Sequence, residues 1–332
     1  MKSMPHTGIG KSLGFSLIEL MVAMVLGLLV VGAAIGIFLS NSKTYRATES
    51  LGRVQEGVRT AFELMARDVR EAAGNPCVNN LPISNVLNNS TSAWWSDLNQ
   101  WGNAFRGYGP SEVATGLDAG TGAGQRIANT EVVQLFAADE NVATITAHDT
   151  ASAKFSVNVA DHGILAGDLA VVCNARQASI FQVSAVNGQD IFHGVGGTPG
   201  NCTTGLGVPM NCGAGTTFAY TAPNSVLVKL HVARWYIGNG VNGPALYQQI
   251  ATANGSITTQ EVAEGVTNLS VLYLVSGRTS YQAASTIGAG EWSSVTAARI
   301  TMSLSSEDVS GTDGEAVVRQ LINVVSLRNR NP

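Results

Sequence analysis

A chain of 332 residues with 45% hydrophobic side chains has ample material for a core, as one large domain or two small ones. Its 19 basic and 23 acidic residues leave a formal charge of −4, and no basic stripe offers itself to nucleic acid. Only 13% of residues are charged while Gly, Ser, Thr, Asn and Ala abound, a balance that suits an exported protein packing against copies or relatives.

The organising stretch lies near the start. After a short segment carrying Lys2 and Lys11 comes Gly14-Phe15-Ser16-Leu17-Ile18-Glu19, and an apolar run then continues to Leu39. About 20 apolar residues in a helix cross the hydrocarbon core of a bilayer, so residues 15–39 are expected to span a membrane. Within the run Glu19 is the one ionisable side chain. Such a charge costs about 2.5–3.5 kcal/mol on insertion scales, and it needs a reason. A snorkelling acid near a helix end is one reading. The other is a partner: a cut after Gly14 frees an amine on Phe15, and a cation and an anion strongly favour pairing where the dielectric is low.

The motif G-F-S-L-I-E-L, with Gly14 before the cut and Glu19 fifth after it, resembles the signal of type IV prepilins. The resemblance implies cleavage after Gly14 by a prepilin peptidase, N-methylation of Phe15, and a role for Glu19 in docking the subunit into a helical filament. An ordinary secretory signal would instead be cut after its apolar region, near Gly32, Ala33 and Ala34. Loss of the 1–14 leader, with its Lys2 and Lys11, would move the formal charge from −4 to −6, 17 basic against 23 acidic residues.

Beyond Leu39 the pattern turns periodic. Leu51, Val54, Val58, Phe62, Met65, Val69 and Ala72 recur every three or four residues, the apolar stripe of an amphipathic helix over 40–74. Glu49 with Arg53 and Glu63 with Arg67 stand four apart on its solvated face. Gly74-Asn75-Pro76 ends the helix. One nearly continuous helix from Phe15 to Ala73 would be about 90 Å long. Gly32 and Gly36 form a G-x-x-x-G that lets helices approach closely.

Residues 75–130 read as a loop-rich insertion, with Trp94, Trp95, Trp101, Phe105 and Tyr108 among Asn, Ser and Gly. Aromatics at this density either pack a small subdomain or line a contact surface or sugar site. The Gly-rich run from Asp118 misses the G-x-G-x-x-G spacing and follows no clear strand, so a phosphate cradle is not expected. From 131 to 332 the pattern is β: residues 131–137, 168–174, 180–186, 226–237, 266–275, 295–305 and 317–327 are rich in Val, Ile, Leu, Thr and aromatics. Asn187-Gly188, Asn239-Gly240 and Asn254-Gly255 are turn signals between them. The predicted fold is α+β: a lollipop whose long helix is membrane-spanning in its first half and packs its amphipathic second half on an antiparallel β-sheet head.

Cys77, Cys173, Cys202 and Cys212 all follow the membrane segment, and an even count in an oxidising compartment predicts disulfides. Of the three pairings, Cys202 with Cys212 closes a Gly-rich loop, leaving Cys77 with Cys173 to tie the helix to the sheet; free buried thiols are the alternative. No C-x-x-C is present, so zinc and thioredoxin-like chemistry are not expected.

The segments Asp68-Val69-Arg70-Glu71-Ala72-Ala73-Gly74, Gly167-Asp168-Leu169-Ala170-Val171-Val172-Cys173 and Val325-Ser326-Leu327-Arg328-Asn329-Arg330 look like those of PilW-like minor pilins. That resemblance implies a minor subunit that helps initiate a type IV pilus together with other minor pilins and the major pilin. Its helix would sit in the inner membrane beside the assembly platform, head in the periplasm, before passing to the pilus at the cell surface. A minor pseudopilin of type II secretion shares the motif, and a tip adhesin using the tryptophan-rich insertion is a third reading. Catalysis is not expected: His148, His162, His193 and His231 are dispersed, Asp161-His162 reads as a surface turn, and neither H-E-x-x-H nor G-x-S-x-G occurs. Asp308, Asp313 and Glu315 lack the EF-hand spacing, so no metal or other cofactor is expected.

Overall fold

The computed structural model describes residues 14, 16–74, 76–77, 81–310 and 316–330. The chain divides into two compact units, Met1–Leu51 and Gly52–Pro332. A helix, Leu17–Glu71, runs through that boundary without an interior proline.

In the first unit the apolar side chains of the helix face outward, with Leu17 75%, Leu28 72% and Phe38 71% exposed. In the second unit the helix acquires a buried stripe. Val58, Ala61, Phe62, Met65, Ala66, Val69 and Ala72 are all covered, and their spacing of three and one keeps them on one face of a 3.6-residue turn. The helix ends at Glu71, where Ala73 takes the left-handed conformation at φ 58°. Its last carbonyls are met from three directions. Asn329 Nδ2 and the Gly74 amide donate to Glu71 O at 3.2 and 2.9 Å. Trp101 Nε1 donates to Ala73 O at 2.6 Å. The expected pair of Glu63 and Arg67 does not form: Arg67 bridges Glu71 at 3.0 Å and Glu140 at 2.8 Å, while Glu63 stands 3.9 Å from Arg70.

The head is larger and richer in strands than a single sheet on a helix. Among the described residues it holds a twelve-stranded sheet and a separate four-stranded sheet. The long strand Val226–Gly240 organises the larger one. Its first half pairs with Leu169–Cys173 and Ala143–Asp149, and its second half with Val132–Ala138 and Gly243–Ala251. The smaller sheet runs Gln282–Ala283, Val266–Val275, Val295–Ser310, Ala316–Ser326. The pairings are antiparallel, apart from that of Ile83–Asn85 with Ala178–Gln182. Both sheets contribute to the core around the helix, Trp235, Ile237 and Leu246 from one and Leu269, Tyr273, Ile300 and Met302 from the other. The chain steps between them at Gly265, whose φ of 75° is open to glycine at little cost.

Residues 75–130, expected as a loop-rich insertion, are mostly turns and irregular backbone where described. They supply the strands Ile83–Asn85 and Phe105–Tyr108, the second paired with Val132–Ala138. Trp94, Trp95, Leu98 and Trp101 form a second core with Phe136, Val171, Leu230 and Val232. The tryptophans are 5–8% exposed, and so line no open sugar site. Arg234, itself 0% exposed, stacks on Trp94 at 4.1 Å and donates to the carbonyls of Thr115 and Gly116, tying this region to the sheet.

Disulfides join Cys77 to Cys173, 96 residues apart, and Cys202 to Cys212, 10 residues apart. The first connects the segment leaving the helix to strand Leu169–Cys173. The second closes a loop within residues 194–224.

Candidate functional site

The helix of the first unit starts with Ser16-Leu17-Ile18-Glu19, and these residues form a reciprocal cap. The Glu19 amide donates to Ser16 Oγ at 3.2 Å, and the Ser16 amide donates to Glu19 Oε2 at 3.0 Å. An S-x-x-E capping box satisfies donors that the first turn cannot pair internally. Sequence reasoning weighed the Glu19 charge and missed this second duty, although the spacing from Ser16 to Glu19 carries the signal. The amide that Glu19 accepts from belongs to the peptide between Phe15 and Ser16, so a cut after Gly14 leaves the cap intact. Gly14 is exposed, and a Cβ there would meet nothing within 4 Å. Its small size answers to no crowding among the described residues. Phe15, with Lys2, Lys11 and the rest of the 1–13 segment, lies outside the described residues.

Leu17–Tyr45 is long and apolar enough to cross a membrane. Gly32 and Gly36 stand on this exposed rod, and added Cβ atoms would meet nothing within 4 Å. A partner helix could therefore approach that face closely.

On the helix of the second unit, Asp68 accepts hydrogen bonds from Trp235 Nε1 at 2.8 Å and Gln248 Nε2 at 2.9 Å, with His231 Nε2 at 3.6 Å from its other oxygen. This carboxylate anchors the helix to the larger sheet. Asp68→Ala leaves the buried Trp235 N–H without a partner, and a loss of about 2 kcal/mol is expected. A fall in the unfolding temperature of roughly 4–8 °C for the detergent-solubilised chain checks it, and an unchanged midpoint refutes it.

The histidines are less scattered than the sequence implies. His162 is 4% exposed rather than at the surface, with Nε2 3.1 Å from Gly188 O and Nδ1 accepting from the Ile164 amide. His148 and His193 approach with their Nε2 atoms 3.2 Å apart. Among the described residues no group of three or more His, Cys, Asp or Glu side chains converges as a metal site would require. Asp313 and Glu315, and the side chain of Asp308, lie outside the described residues.

Comparison with known families matches the two ends of this arrangement. Residues 10–35 match the prokaryotic N-terminal methylation motif, the segment that holds Gly14, Ser16 and Glu19. Residues 234–326 match type IV pilus-assembly protein W. That second stretch runs from Arg234 to Ser326 and supplies most of the sheet residues packed around Phe62, Met65 and Val69. No curated protein and no solved structure matches the chain. An exposed apolar helix, long enough to cross a membrane and opening on a methylation motif, together with a β-rich head, is similar to the type IV pilin-like class of protein. Within that class the chain is PilW-like over residues 234–326; of the segments that carried the resemblance, 68–74 and 167–173 lie outside that match and 325–330 overlaps its end.

Proposed function

We propose that this chain is a minor pilin of a type IV pilus. It inserts its apolar helix in the inner membrane with the head in the periplasm, is cut after Gly14 by a prepilin peptidase, and is methylated on the new Phe15 amine. It then joins other minor pilins and the major pilin at the assembly platform to initiate or tip the fibre. Its role is assembly rather than catalysis. The observation that carries this reading is the Glu19 carboxylate at the head of a rod whose apolar side chains are uncovered from Leu17 to Leu39. Those side chains need lipid or neighbouring helices around them.

The test is the amino terminus of the protein isolated from its host. Mass spectrometry should find a chain beginning at N-methylated Phe15. Gly14→Leu should keep the leader attached and reduce the processed form at least tenfold, whereas Gly14→Ala should be partly processed. A mature chain beginning after Ala34 would overturn the reading in favour of a secretory signal. The pseudopilin reading predicts the same terminus and separates by function: loss of the gene would abolish protein secretion and spare pili.

The adhesin reading loses its structural support, since the tryptophans meant to form its ligand surface are packed in the second core.

A further inference from the structure

Strands Ala143–Asp149, Lys154–Val157 and Asp190–Phe192 lie side by side, with His148 opposite Phe155 and Phe155 opposite Ile191. This register brings His148 and His193 together, 45 residues apart in sequence, with Nε2 to Nε2 at 3.2 Å. His193 is 0% exposed. The Phe155 ring packs on both imidazoles, at 4.2 and 4.8 Å between centroids, and Phe181 lies 5.7 Å from His193.

The hydrogen bonds dictate the tautomers. The Tyr220 amide donates to His148 Nδ1 at 3.0 Å, and an amide N–H can only donate. Neutral His148 therefore carries its proton on Nε2 and gives it to His193 Nε2 as a hydrogen bond. His193 must then be protonated on Nδ1, a buried donor with no partner among the described residues beyond its own backbone. The Nε2 spacing alone would suit two ligands of one metal ion. A metal, however, needs both Nε2 lone pairs, and the His148 proton would have to sit on Nδ1 against the Tyr220 N–H.

A proton fares no better than a metal. Added to His148 it occupies Nδ1 and faces the Tyr220 N–H. Added to His193 it occupies Nε2 and faces the Nε2–H of His148. Either way a hydrogen bond becomes a clash of two donors. The acids nearby are engaged elsewhere: Asp149 accepts from Ala151 and Ser152, and Asp190 from Lys154 and Ser156. The Tyr220 hydroxyl is held by Ser179 and Gln177. Burial outweighs the pull of Asp149 and holds His148 down to about 4, while burial and then the neighbouring His148 bring His193 to about 3.

The pair touches both ends of one segment. His193 is where residues 194–220 leave strand Asp190–Phe192, and Tyr220 is where they return toward strand Val226–Gly240. In between lies the loop closed by Cys202 and Cys212, docked through Leu206 O on Ser179 and Gln177 and through Gly207 O on Ser84. We propose that His148 and His193 form an acid-released latch, which holds this disulfide-closed segment on the sheet while both imidazoles are neutral and frees it when a proton enters the pair. Because both groups titrate lower when docked than the ordinary 6.5, the docked state is fully favoured above about pH 6.5. That preference drains away as the pH falls from there toward 4 and then 3.

Hydrogen exchange read by mass spectrometry on the full chain in detergent micelles tests this. After correction for intrinsic rates, amides of residues 194–224 should exchange at least tenfold faster at pH 4.5 than at pH 7.5. Amides of strand Val226–Gly240 beside Trp235 should stay protected. The pair His148→Gln with His193→Phe keeps an acceptor for Tyr220 and a ring in the pocket, and should abolish the acid response. Unchanged protection at pH 4.5, simultaneous loss across the whole head, or an equal response in the double variant overturns the proposal. Should that variant not fold, spectra of 15N-labelled histidine in the unaltered chain decide instead. Opposite tautomers at neutral pH, both still neutral at pH 5.5, support the latch, and identical tautomers or a charged His193 at pH 5.5 refute it.

Discussion

Glu19→Gln is expected to leave processing after Gly14 intact and to lower the amount of this subunit in sheared pili at least tenfold. The substitution separates the two duties of the side chain. A glutamine oxygen can still accept the Ser16 amide, which Glu19 Oε2 now does at 3.0 Å, so the capping box survives while the charge is lost. Ser16→Ala does the reverse. It removes the hydroxyl that receives the Glu19 amide at 3.2 Å, a cost of about 1 kcal/mol to the helix start, and leaves the carboxylate charged. An ion pair at about 4 Å is worth about 4 kcal/mol at an effective dielectric of about 20. Losing a third of that already costs a factor of about ten. If the carboxylate docks against a methylated amine, the glutamine variant fails in assembly and the alanine variant stays within about fivefold of normal. Equal incorporation of the glutamine variant would reduce Glu19 to a helix cap.

Trp101→Ala should produce the largest loss of stability of the substitutions considered, about 3–5 kcal/mol. The ring is 5% exposed and packs in the core with Leu98, Ala104 and Phe136, while Nε1 donates to Ala73 O at the end of the helix. The next residue, Gly102, accepts from Arg330 at 2.7 Å, which links the carboxy-terminal turn to the same corner. Truncation thus opens a cavity and unties the helix end together. Trp101→Phe keeps most of the apolar volume and should cost less than half as much. Denaturant unfolding of the solubilised chain measures both, and a shift under 1 kcal/mol for the alanine variant would contradict the assigned packing. The same experiment separates core tryptophans from a ligand surface, since surface rings can be removed without this loss.

Several elements were legible from local pattern. The apolar run and its one carboxylate are visible directly, the stripe from Val58 to Ala72 follows from a period of 3.6, and strands such as Val226–Gly240 and Val266–Val275 follow from local enrichment in Val, Leu and aromatic residues. Others were hidden for identifiable reasons. Strand Ile257–Glu264 reads Ile-Thr-Thr-Gln-Glu, and its first five residues are exposed, because it forms an edge of the larger sheet where no apolar alternation is required. Asn239-Gly240 reads as a turn, yet Gly240 is still paired with Gly243, so the hairpin turns two residues later at Val241-Asn242. The Asn239 side chain is occupied in holding the carbonyls of Gly120 and Gln125, a contact across more than a hundred residues.

What the amino-acid order determined alone is the anchor: a rod too apolar for water, opened by Gly14, Phe15 and Glu19, with a stripe for a head further along. Those properties are short-range, set by which side chains recur within a few turns of helix. Tertiary structure decided which way the aromatic residues of 75–130 face, that two sheets rather than one clasp the helix, and that His148 meets His193. Each depends on the register between strands distant in sequence, and a register is chosen by the packing of the whole core, which no single window of residues contains.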